Sequence, residues 1–288
     1  MKLSGRSAII TGASLGLGAE IAQHFAAEGA AMMLCARNMA ELEAQRERLV
    51  AAYPNARILT QRCDIASRAE TDALFAAAAD ALGRIDIVVN NAGIYGPMGP
   101  IDAIDWDEWV QAIAINLTGT VYCARKAVEA MKPHRAGKII NLSGGGATNP
   151  LPGISAYAAS KAAVVRFTET LALEVKEFGI DVNAVAPGAL ATRLTDQLLE
   201  AGPERVGAAL HERMKKIQNE GGTPLGVGAA FCVYLASRES DGVTGRLLAA
   251  QWDPWPFDEA VKGRIAATDI YTLRRIVPGD RGEPWDKK

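Results

Sequence analysis

A tyrosine and a lysine four residues apart are the pair of side chains in this sequence whose types and spacing best suit proton transfer. Tyr157 and Lys161 lie in "YAASK", inside a stretch with helical periodicity, so they share one helix face. A free tyrosine has a pKa of about 10 and is a poor base at neutral pH. Because a neighbouring ammonium favours the phenolate, we expect Lys161 to lower the pKa of Tyr157 and to prepare it for proton exchange with a substrate oxygen.

A glycine-rich turn follows the first apolar run of the chain. The segment "TGASLGLG", Thr11–Gly18, has the spacing G-x-x-x-G-x-G, and its glycines are Gly12, Gly16 and Gly18. An apolar stripe with helical spacing then begins at Leu17. A helix that begins at this turn directs free N–H groups and the positive end of its dipole toward it, which suits a pyrophosphate. The alternative is a turn that needs glycine only for its backbone conformation.

The second apolar run ends in "LCARN", where the type of nucleotide can be distinguished. In dinucleotide-binding folds an acidic residue at this place receives the ribose hydroxyl, whereas an arginine accommodates a 2′-phosphate. This sequence has Ala36 followed by Arg37. The pattern favours NADP over NAD, and an ordinary surface arginine remains the alternative.

Apolar runs rich in strand formers alternate with amphipathic helical patterns along most of the chain. This order predicts an α/β protein of the Rossmann type, with a doubly wound, seven-stranded, mostly parallel sheet and helices on both faces. The predicted strands are Ser7–Thr11, Ala31–Ala36, Arg57–Cys63, Ile85–Asn90, Lys138–Leu142, Asp181–Ala186 and Gly245–Ala249. The predicted helices include Met39–Ala52, Arg68–Leu82, Trp106–Met131, Ser155–Phe178 and Val227–Leu235.

Six motifs occur in an order and spacing that resemble the short-chain dehydrogenase/reductase family. They are "TGASLGLG", "NNAG" at 90–93, Asn116, Ser143 after "KIINLS", "YAASK" and "PG" at 187–188. The resemblance covers roughly residues 3–249. It implies an NAD(P)-dependent oxidoreductase that interconverts a secondary alcohol and a ketone or aldehyde by hydride transfer, with Tyr157 as general acid/base.

The resemblance also implies roles for individual residues. Ser143 would hydrogen-bond the reacting carbonyl or alcohol, and Lys161 would hold the nicotinamide ribose. Asn116 would anchor a water that links Lys161 to bulk solvent. These three residues and Tyr157 are the predicted catalytic set.

A cofactor-binding set follows from the same resemblance. Asp64 would meet the adenine amino group with Ile65 beside it, and the "PG" motif with Thr192 would close over the nicotinamide. Leu15 stands where some members have a basic residue that helps to bind the 2′-phosphate. The preference for NADP therefore depends mainly on Arg37. The full predicted set is Gly12, Ser14, Leu15, Gly16, Leu17, Arg37, Asp64, Ile65, Asn90, Ala92, Gly93, Tyr157, Lys161, Pro187, Gly188 and Thr192.

Composition argues against several other classes of function. A formal net charge of −2 and a pI near 6.0 give no electrostatic case for nucleic acid or an anionic membrane as partner. No apolar run is long enough to span a bilayer and the N-terminus lacks a signal-peptide pattern, so we expect a cytoplasmic protein. The four cysteines and three histidines are scattered, so we expect neither a disulfide framework nor a metal site.

The chain is predicted to form one catalytic domain over residues 1–249, followed by an extension over residues 250–288. The extension contains three of the five tryptophans, and aromatic side chains favour burial. It would pack on its own domain or on a neighbouring subunit. One hypothesis has it cover the substrate entrance with Trp252 or Trp255 as anchor, and the other has it pack along an oligomer surface.

Family members are usually dimers or tetramers built around two long helices, here Trp106–Met131 and Ser155–Phe178, so we expect a homotetramer or a homodimer. The expected substrate is a small-molecule alcohol or carbonyl compound. A sugar, a steroid, an acyl-thioester or a small ketone would each fit the catalytic set. A non-redox lyase or epimerase on the same scaffold and a cofactor-sensing binding protein remain as alternatives.

Overall fold

Seven parallel strands form one sheet in the computed structural model, which describes residues 1–285. The strand order is β3-β2-β1-β4-β5-β6-β7, and every pairing is parallel. The predicted Rossmann-type fold is thereby confirmed. The strands are β1 Ser7–Thr11, β2 Ala31–Ala36, β3 Ile58–Arg62, β4 Ile87–Asn90, β5 Gly137–Leu142, β6 Ile180–Ala186 and β7 Arg246–Ala249.

Helices connect the strands and add a cap after β6. The α-helices are α1 Gly16–Ala27, α2 Met39–Ala52, α3 Arg68–Leu82, α4 Trp106–Ile113, α5 Thr120–Met131, α6 Ser155–Glu174, α7 Arg193–Ala201, α8 Pro203–Val206, α9 Ala208–Glu220, α10 Leu225–Ala236 and α11 Glu259–Ala267. The long helix predicted over Trp106–Met131 is interrupted by a π-helical segment, Ala114–Gly119. The helix predicted over Ser155–Phe178 ends in a separate 3₁₀ turn, Lys176–Phe178.

Two apolar cores lie on opposite faces of the sheet because successive strand residues point in opposite directions. Ile10 packs with α1 and α10 in one core, whereas its neighbour Ile9 packs with α3 and α5 in the other. Both side chains are fully buried. Strands buried on both faces explain why the sequence shows continuous apolar runs rather than alternation.

The C-terminal extension packs on its own domain over residues 250–285, and residues 286–288 lie outside the described part. Trp255 lies against Phe231 and Tyr234 of α10, with ring centroids 4.9 and 5.9 Å away. Phe257 belongs to the same core as α1 and α10. Farther along, the backbone N–H of Leu247 in β7 donates to the carbonyl of Tyr271, so the extension covers the outer edge of the sheet.

The two tryptophans of this segment differ in their contribution to stability. Trp255→Ala should lower the free energy of unfolding by about 3 kcal/mol, because it removes an indole packed against two aromatic rings. Trp252→Ala is the matched control and should change it by less than about 0.5 kcal/mol, because 65% of that side chain is exposed. Urea unfolding of both variants measures the difference, and equal losses would contradict the packing of Trp255.

Candidate active site

A cleft of about 1960 Å³ runs along the carboxyl ends of the strands, from Arg37 after β2 to Trp252 after β7. Ligands bind at this edge in open parallel α/β sheets. Of the predicted site residues, all line the cleft except Asn90 and Asn116.

The turn between β1 and α1 leaves room for a phosphate group close to the backbone. Gly12 and Gly16 have positive φ values of 64° and 56°, which favour glycine. A Cβ at Gly18 would overlap the Gly12 carbonyl, so only glycine lets α1 begin this close to the turn. Asn91 fixes the turn from β4, because its side-chain amide donates to the carbonyls of Thr11 and Gly12, both at 3.0 Å.

Gly12 and Gly16 leave the backbone without side chains at two points of the turn where α1 begins, which leaves space for a pyrophosphate. In this arrangement residues 12–17 would hold the pyrophosphate, as P-loop-like helix N-termini do. Asn91 lies directly after the strand in "NNAG", and its amide stabilises this turn.

Tyr157 and Lys161 occupy the first two turns of α6, on the face that meets the sheet. The Lys161 Nζ lies 5.7 Å from the centroid of the Tyr157 ring and donates a hydrogen bond to the Leu142 carbonyl at the end of β5, at 2.7 Å. Burial lowers the pKa of Lys161 from 10.5 to about 8. The ammonium is therefore still largely protonated near neutral pH.

The pKa of Tyr157 departs from the sequence-based expectation. Burial, followed by the neighbouring Tyr95, raises the pKa of Tyr157 well above its usual value instead of lowering it. The two rings meet edge to face with centroids 4.7 Å apart. The loss of hydration dominates this pKa, and the Lys161 ammonium over the ring does not offset it. Tyr157 is consequently a protonated phenol at neutral pH.

Ser143 follows β5 directly and carries a free hydroxyl. Its backbone N–H donates to the Val185 carbonyl at 2.7 Å, which fixes the residue to the neighbouring strand. Its Oγ is buried and has no hydrogen-bond partner among residues 1–285. The Tyr157 hydroxyl lies against the next residue, Gly144, where a Cβ would overlap it. Two hydroxyl groups therefore face the same part of the cleft.

Asn116 lies in the π-helical segment near Tyr157 and Lys161 and outside the cleft lining. Its side chain accepts from the Ile94 N–H and donates to the Ile94 carbonyl, both at 2.8 Å. It also donates to Ser160 Oγ at 3.0 Å. π-Helical turns are frequent at functional sites because they redirect one side chain. Sequence reasoning missed Ser160, although it directly precedes Lys161 in "YAASK".

The adenosine end of the cleft contains charged residues of both signs. Arg37 is exposed after β2 and forms no ion pair or hydrogen bond within the described chain. Glu41, which sequence reasoning missed, lines the cleft one turn into α2, with its carboxylate 3.5 Å from Ser14 Oγ. Asp64 accepts from the N–H of Ala66 at 3.0 Å and thereby shapes the turn after β3.

Asn90 differs from the other predicted cofactor residues in position. Its side chain is buried at the end of β4 and donates to Asn141 Oδ1 of β5 at 2.8 Å. The amide links two strands and does not line the cleft.

The opposite half of the cleft is largely apolar. Its cap is formed by α7–α9, and Thr192 at the start of α7 lies 3.8 Å from the position of a Cβ on Gly16. The cap therefore reaches across the cleft to the glycine turn. The apolar lining residues include Tyr95, Met98, Leu151, Leu198, Leu210, Met214 and Ile217.

The C-terminal extension adds three residues to the wall of the cleft: Trp252, Asp253 and Tyr271. Of the two tryptophans offered as anchors over the substrate entrance, Trp252 lines the cleft and Trp255 packs against the core. Sequence reasoning missed Asp253 and Tyr271, since neither belongs to a motif. Among residues 1–285, no group of three or more His, Cys, Asp or Glu is placed to hold a metal ion, and no helix could span a membrane.

Comparisons with known proteins identify the family. A sequence model described as short chain dehydrogenase matches residues 6–202. The chain is 39% identical over 249 residues to 3beta-hydroxysteroid dehydrogenase 1 of Eggerthella lenta, covering 85% of this chain and 92% of that protein. It is 32% identical over 212 residues to levodione reductase of Leifsonia aquatica, covering 73% and 79%. A crystal structure of levodione reductase superposes with a TM-score of 0.79 at 28% identity, covering 92% of this chain and all of that one.

The chain belongs to the short-chain dehydrogenase family. It is therefore an NAD(P)-dependent short-chain dehydrogenase/reductase that acts on CH–OH groups.

Removing the buried ammonium should stabilise the protein. The pKa of Lys161 is about 8 in the folded protein and 10.5 in the unfolded chain. Below pH 8 the buried charge therefore lowers the free energy of unfolding. This cost disappears as the pH rises from 8 to 10.5, because the folded protein loses the proton first. Lys161→Met should raise the free energy of unfolding at pH 7 by about 1–2 kcal/mol after the lost hydrogen bond to Leu142 is counted.

Urea unfolding at pH 7 and at pH 9.5 measures this effect, and the gain should shrink at the higher pH. Lys216→Met is the control, because 71% of the Lys216 side chain is exposed and its charge costs no desolvation. A Lys161→Met variant that is less stable at pH 7, or equally stabilised at both pH values, would contradict the assigned pKa.

Proposed function

We propose that this protein interconverts a secondary alcohol and a ketone, with Tyr157 as general acid and base. In ketone reduction the Tyr157 hydroxyl gives its proton to the carbonyl oxygen, and in alcohol oxidation the phenolate takes it back. Ser143 donates a hydrogen bond to the same substrate oxygen. The nicotinamide supplies or accepts the hydride when the cofactor is bound.

The observation that carries this proposal is the buried, unpartnered Oγ of Ser143 beside the Tyr157 hydroxyl. A buried hydroxyl without a partner is costly, so it is expected where a substrate oxygen completes the hydrogen bonding. The raised pKa of Tyr157 keeps it protonated and supports proton donation to a ketone at neutral pH. The Lys161 ammonium stabilises the phenolate that remains, and Asn116 supports the water-linked exit of the proton.

An apolar, alicyclic compound is the substrate class that we propose. The cap side of the cleft is lined mainly by Leu, Met, Ile and Tyr side chains, which favour a ring system over a sugar or a charged thioester. Two relatives, from Eggerthella lenta and Mediterraneibacter gnavus, are named 3beta-hydroxysteroid dehydrogenases. We therefore propose a saturated steroid alcohol or a similar fused-ring alcohol.

Tyr157→Phe tests the proton-transfer step. The variant should lose at least about 10³-fold in kcat with a 3β-hydroxysteroid, because the general acid/base is removed. Its affinity for the nicotinamide cofactor should change by less than about threefold. Absorbance of the reduced nicotinamide measures turnover, and its fluorescence measures binding.

Tyr53→Phe serves as the control, since it removes a tyrosine hydroxyl at the end of α2, outside the cleft lining. A Tyr157→Phe variant with near-normal turnover would refute the assignment. Turnover of substrate without any change in the nicotinamide would instead indicate the lyase or epimerase alternative.

We propose NADP as the preferred cofactor. Arg37 supports this preference, because its guanidinium is exposed at the adenosine end of the cleft and free to pair with a 2′-phosphate. Ala36 leaves no carboxylate directly at the end of β2. Glu41 lies a turn away and is engaged with Ser14 and, at 3.9 Å, with Arg193.

Arg37→Ala separates the two cofactors. The variant should raise the KM for NADP about tenfold, because a charge-assisted contact with the phosphate is lost, and should leave the KM for NAD within about twofold. Initial rates with each cofactor measure the ratio. Arg48→Ala, elsewhere on α2, is the control. An equal effect on both cofactors would contradict a role for Arg37 in discrimination.

We also propose a cytoplasmic homo-oligomer, a dimer or a tetramer, in which the face of α5 and α6 meets a second copy. An open groove between these helices supports this assignment and is lined by Val121, Val128, Phe167 and Leu171. The edge of β7 is covered by the chain's own extension, so we assign the contact with a second copy to the helical face.

A further inference from the structure

The C-terminal extension forms the end wall of the cleft on the side of β7, beyond the catalytic hydroxyls. Asp253 and Tyr271 are both half-buried and line the cleft together with the exposed indole of Trp252. The family match ends at residue 202, so this wall belongs to the part of the chain outside it. None of its residues takes part in the proposed proton transfer.

The sheet sets the distance between this wall and the reacting oxygen. Ser143 follows the end of β5, and Asp253 is tied to the end of β7, where one of its carboxylate oxygens accepts from the Ala249 N–H at 2.6 Å. Ala249 is paired with Ala186 of β6, so β7 is the second strand beyond β5. Adjacent strands lie about 4.8 Å apart, and the two groups are therefore separated by about 10 Å.

Tyr271 is held in an uncommon conformation that brings its hydroxyl to Asp253. Its φ of 65° lies in the left-handed region, which non-glycine residues rarely adopt. Its carbonyl accepts from the Leu247 N–H at 2.8 Å, and its side chain lines the cleft beside the Asp253 carboxyl group. The backbone is thus fastened to β7 while the side chain turns back to the cleft.

The chemistry of the pair determines which group it can bind. The Ala249 N–H donates to Asp253 and the Tyr271 hydroxyl lies beside it, while an ionised carboxylate has further lone pairs that can accept. A substrate hydroxyl at this place would donate a hydrogen bond to the Asp253 carboxylate. A ketone oxygen can only accept, so it would face the lone pairs of the carboxylate without a hydrogen bond between them. The apolar stretch between the two ends, lined by Leu247 and Ala249, suits the body of a ring system.

We propose that Asp253, oriented by Tyr271, is a specificity-determining residue that binds a second hydroxyl at the far end of the substrate, about 10 Å from the reacting carbon. Trp252 forms the flat apolar wall beside this hydroxyl. The proposal rests on the oxidoreductase function and the fused-ring substrate class given above. It makes the extension a substrate-binding element rather than only a cover for the sheet edge.

Three saturated 3β-hydroxysteroids test the proposal, with a hydroxyl, a ketone or no oxygen at the opposite end of the ring system. The wild-type protein should oxidise the diol with a kcat/KM about tenfold above either of the other two. The difference should lie in KM, because the contact is remote from the reacting carbon and is made equally in the ground and transition states. Product analysis verifies which hydroxyl is oxidised.

Asp253→Asn should abolish or reverse the preference. If the Asn oxygen accepts from Ala249, its NH₂ group faces the cleft and donates to a ketone, so the ketosteroid should gain and the diol should lose. Tyr271→Phe preserves the ring and should reduce the preference to about threefold, because the carboxylate loses the polar hydroxyl beside it. Glu259→Gln, a charge loss on the same extension with 90% of the side chain exposed, is the control.

The outcomes separate this proposal from the one on which it rests. Equal kcat/KM values for the three steroids in the wild type overturn the subsite but leave the oxidoreductase function standing. A preference that persists in Asp253→Asn overturns it as well. Failure to oxidise any of the three overturns the fused-ring class and the subsite together, whereas a lost preference in Asp253→Asn with unchanged kcat supports both.

Discussion

The hydrogen bond from the Lys161 ammonium to the Leu142 carbonyl is the contact on which the site depends. It joins α6, which carries Tyr157, to the last residue of β5, which Ser143 follows. Because the ammonium is buried, it opposes folding, and the packing of α6 on the sheet must offset that cost. The arrangement therefore costs stability and provides a cation one helical turn from the phenol. A site of this kind illustrates the trade between stability and function.

The neighbouring strands and helices hold the residues around the Lys161–Leu142 hydrogen bond in place. Ser143 is fixed by its N–H bond to β6, and the π-helical segment turns Asn116 toward Ile94 and Ser160, directly behind Lys161. The glycine turn after β1 is braced by Asn91 from β4. Each of these contacts comes from an adjacent strand or helix, so regular secondary structure supports both the glycine turn and the residues around Lys161.

The extension after β7 joins structure and specificity. Its first half is anchored by Trp255 and Phe257 in the core beneath α10, and its second half runs along the free edge of β7. An exposed edge strand can pair with another chain, and covering it removes that hazard. The same path brings Asp253 and Tyr271 to the substrate side of the cleft. One segment thus closes the sheet and shapes the far end of the site.

The sequence by itself determined the alternating order of strands and helices, the strand positions to within one or two residues, and the grouping of most predicted site residues at one edge. These features follow from local periodicity and from motifs whose residues are close in the chain, such as Tyr157 and Lys161. The tertiary structure decided what depends on packing between distant segments. It raised the pKa of Tyr157 and placed the Asn90 amide between two strands. It also decided between the two candidate tryptophans, since Trp252 lines the cleft and Trp255 packs against the core. It also brought Asp253 and Tyr271 together, although they are 18 residues apart in the chain. No local pattern encodes this contact, because it depends on how the extension packs on the whole fold. The same holds for the pKa of a buried group, which depends on its desolvation.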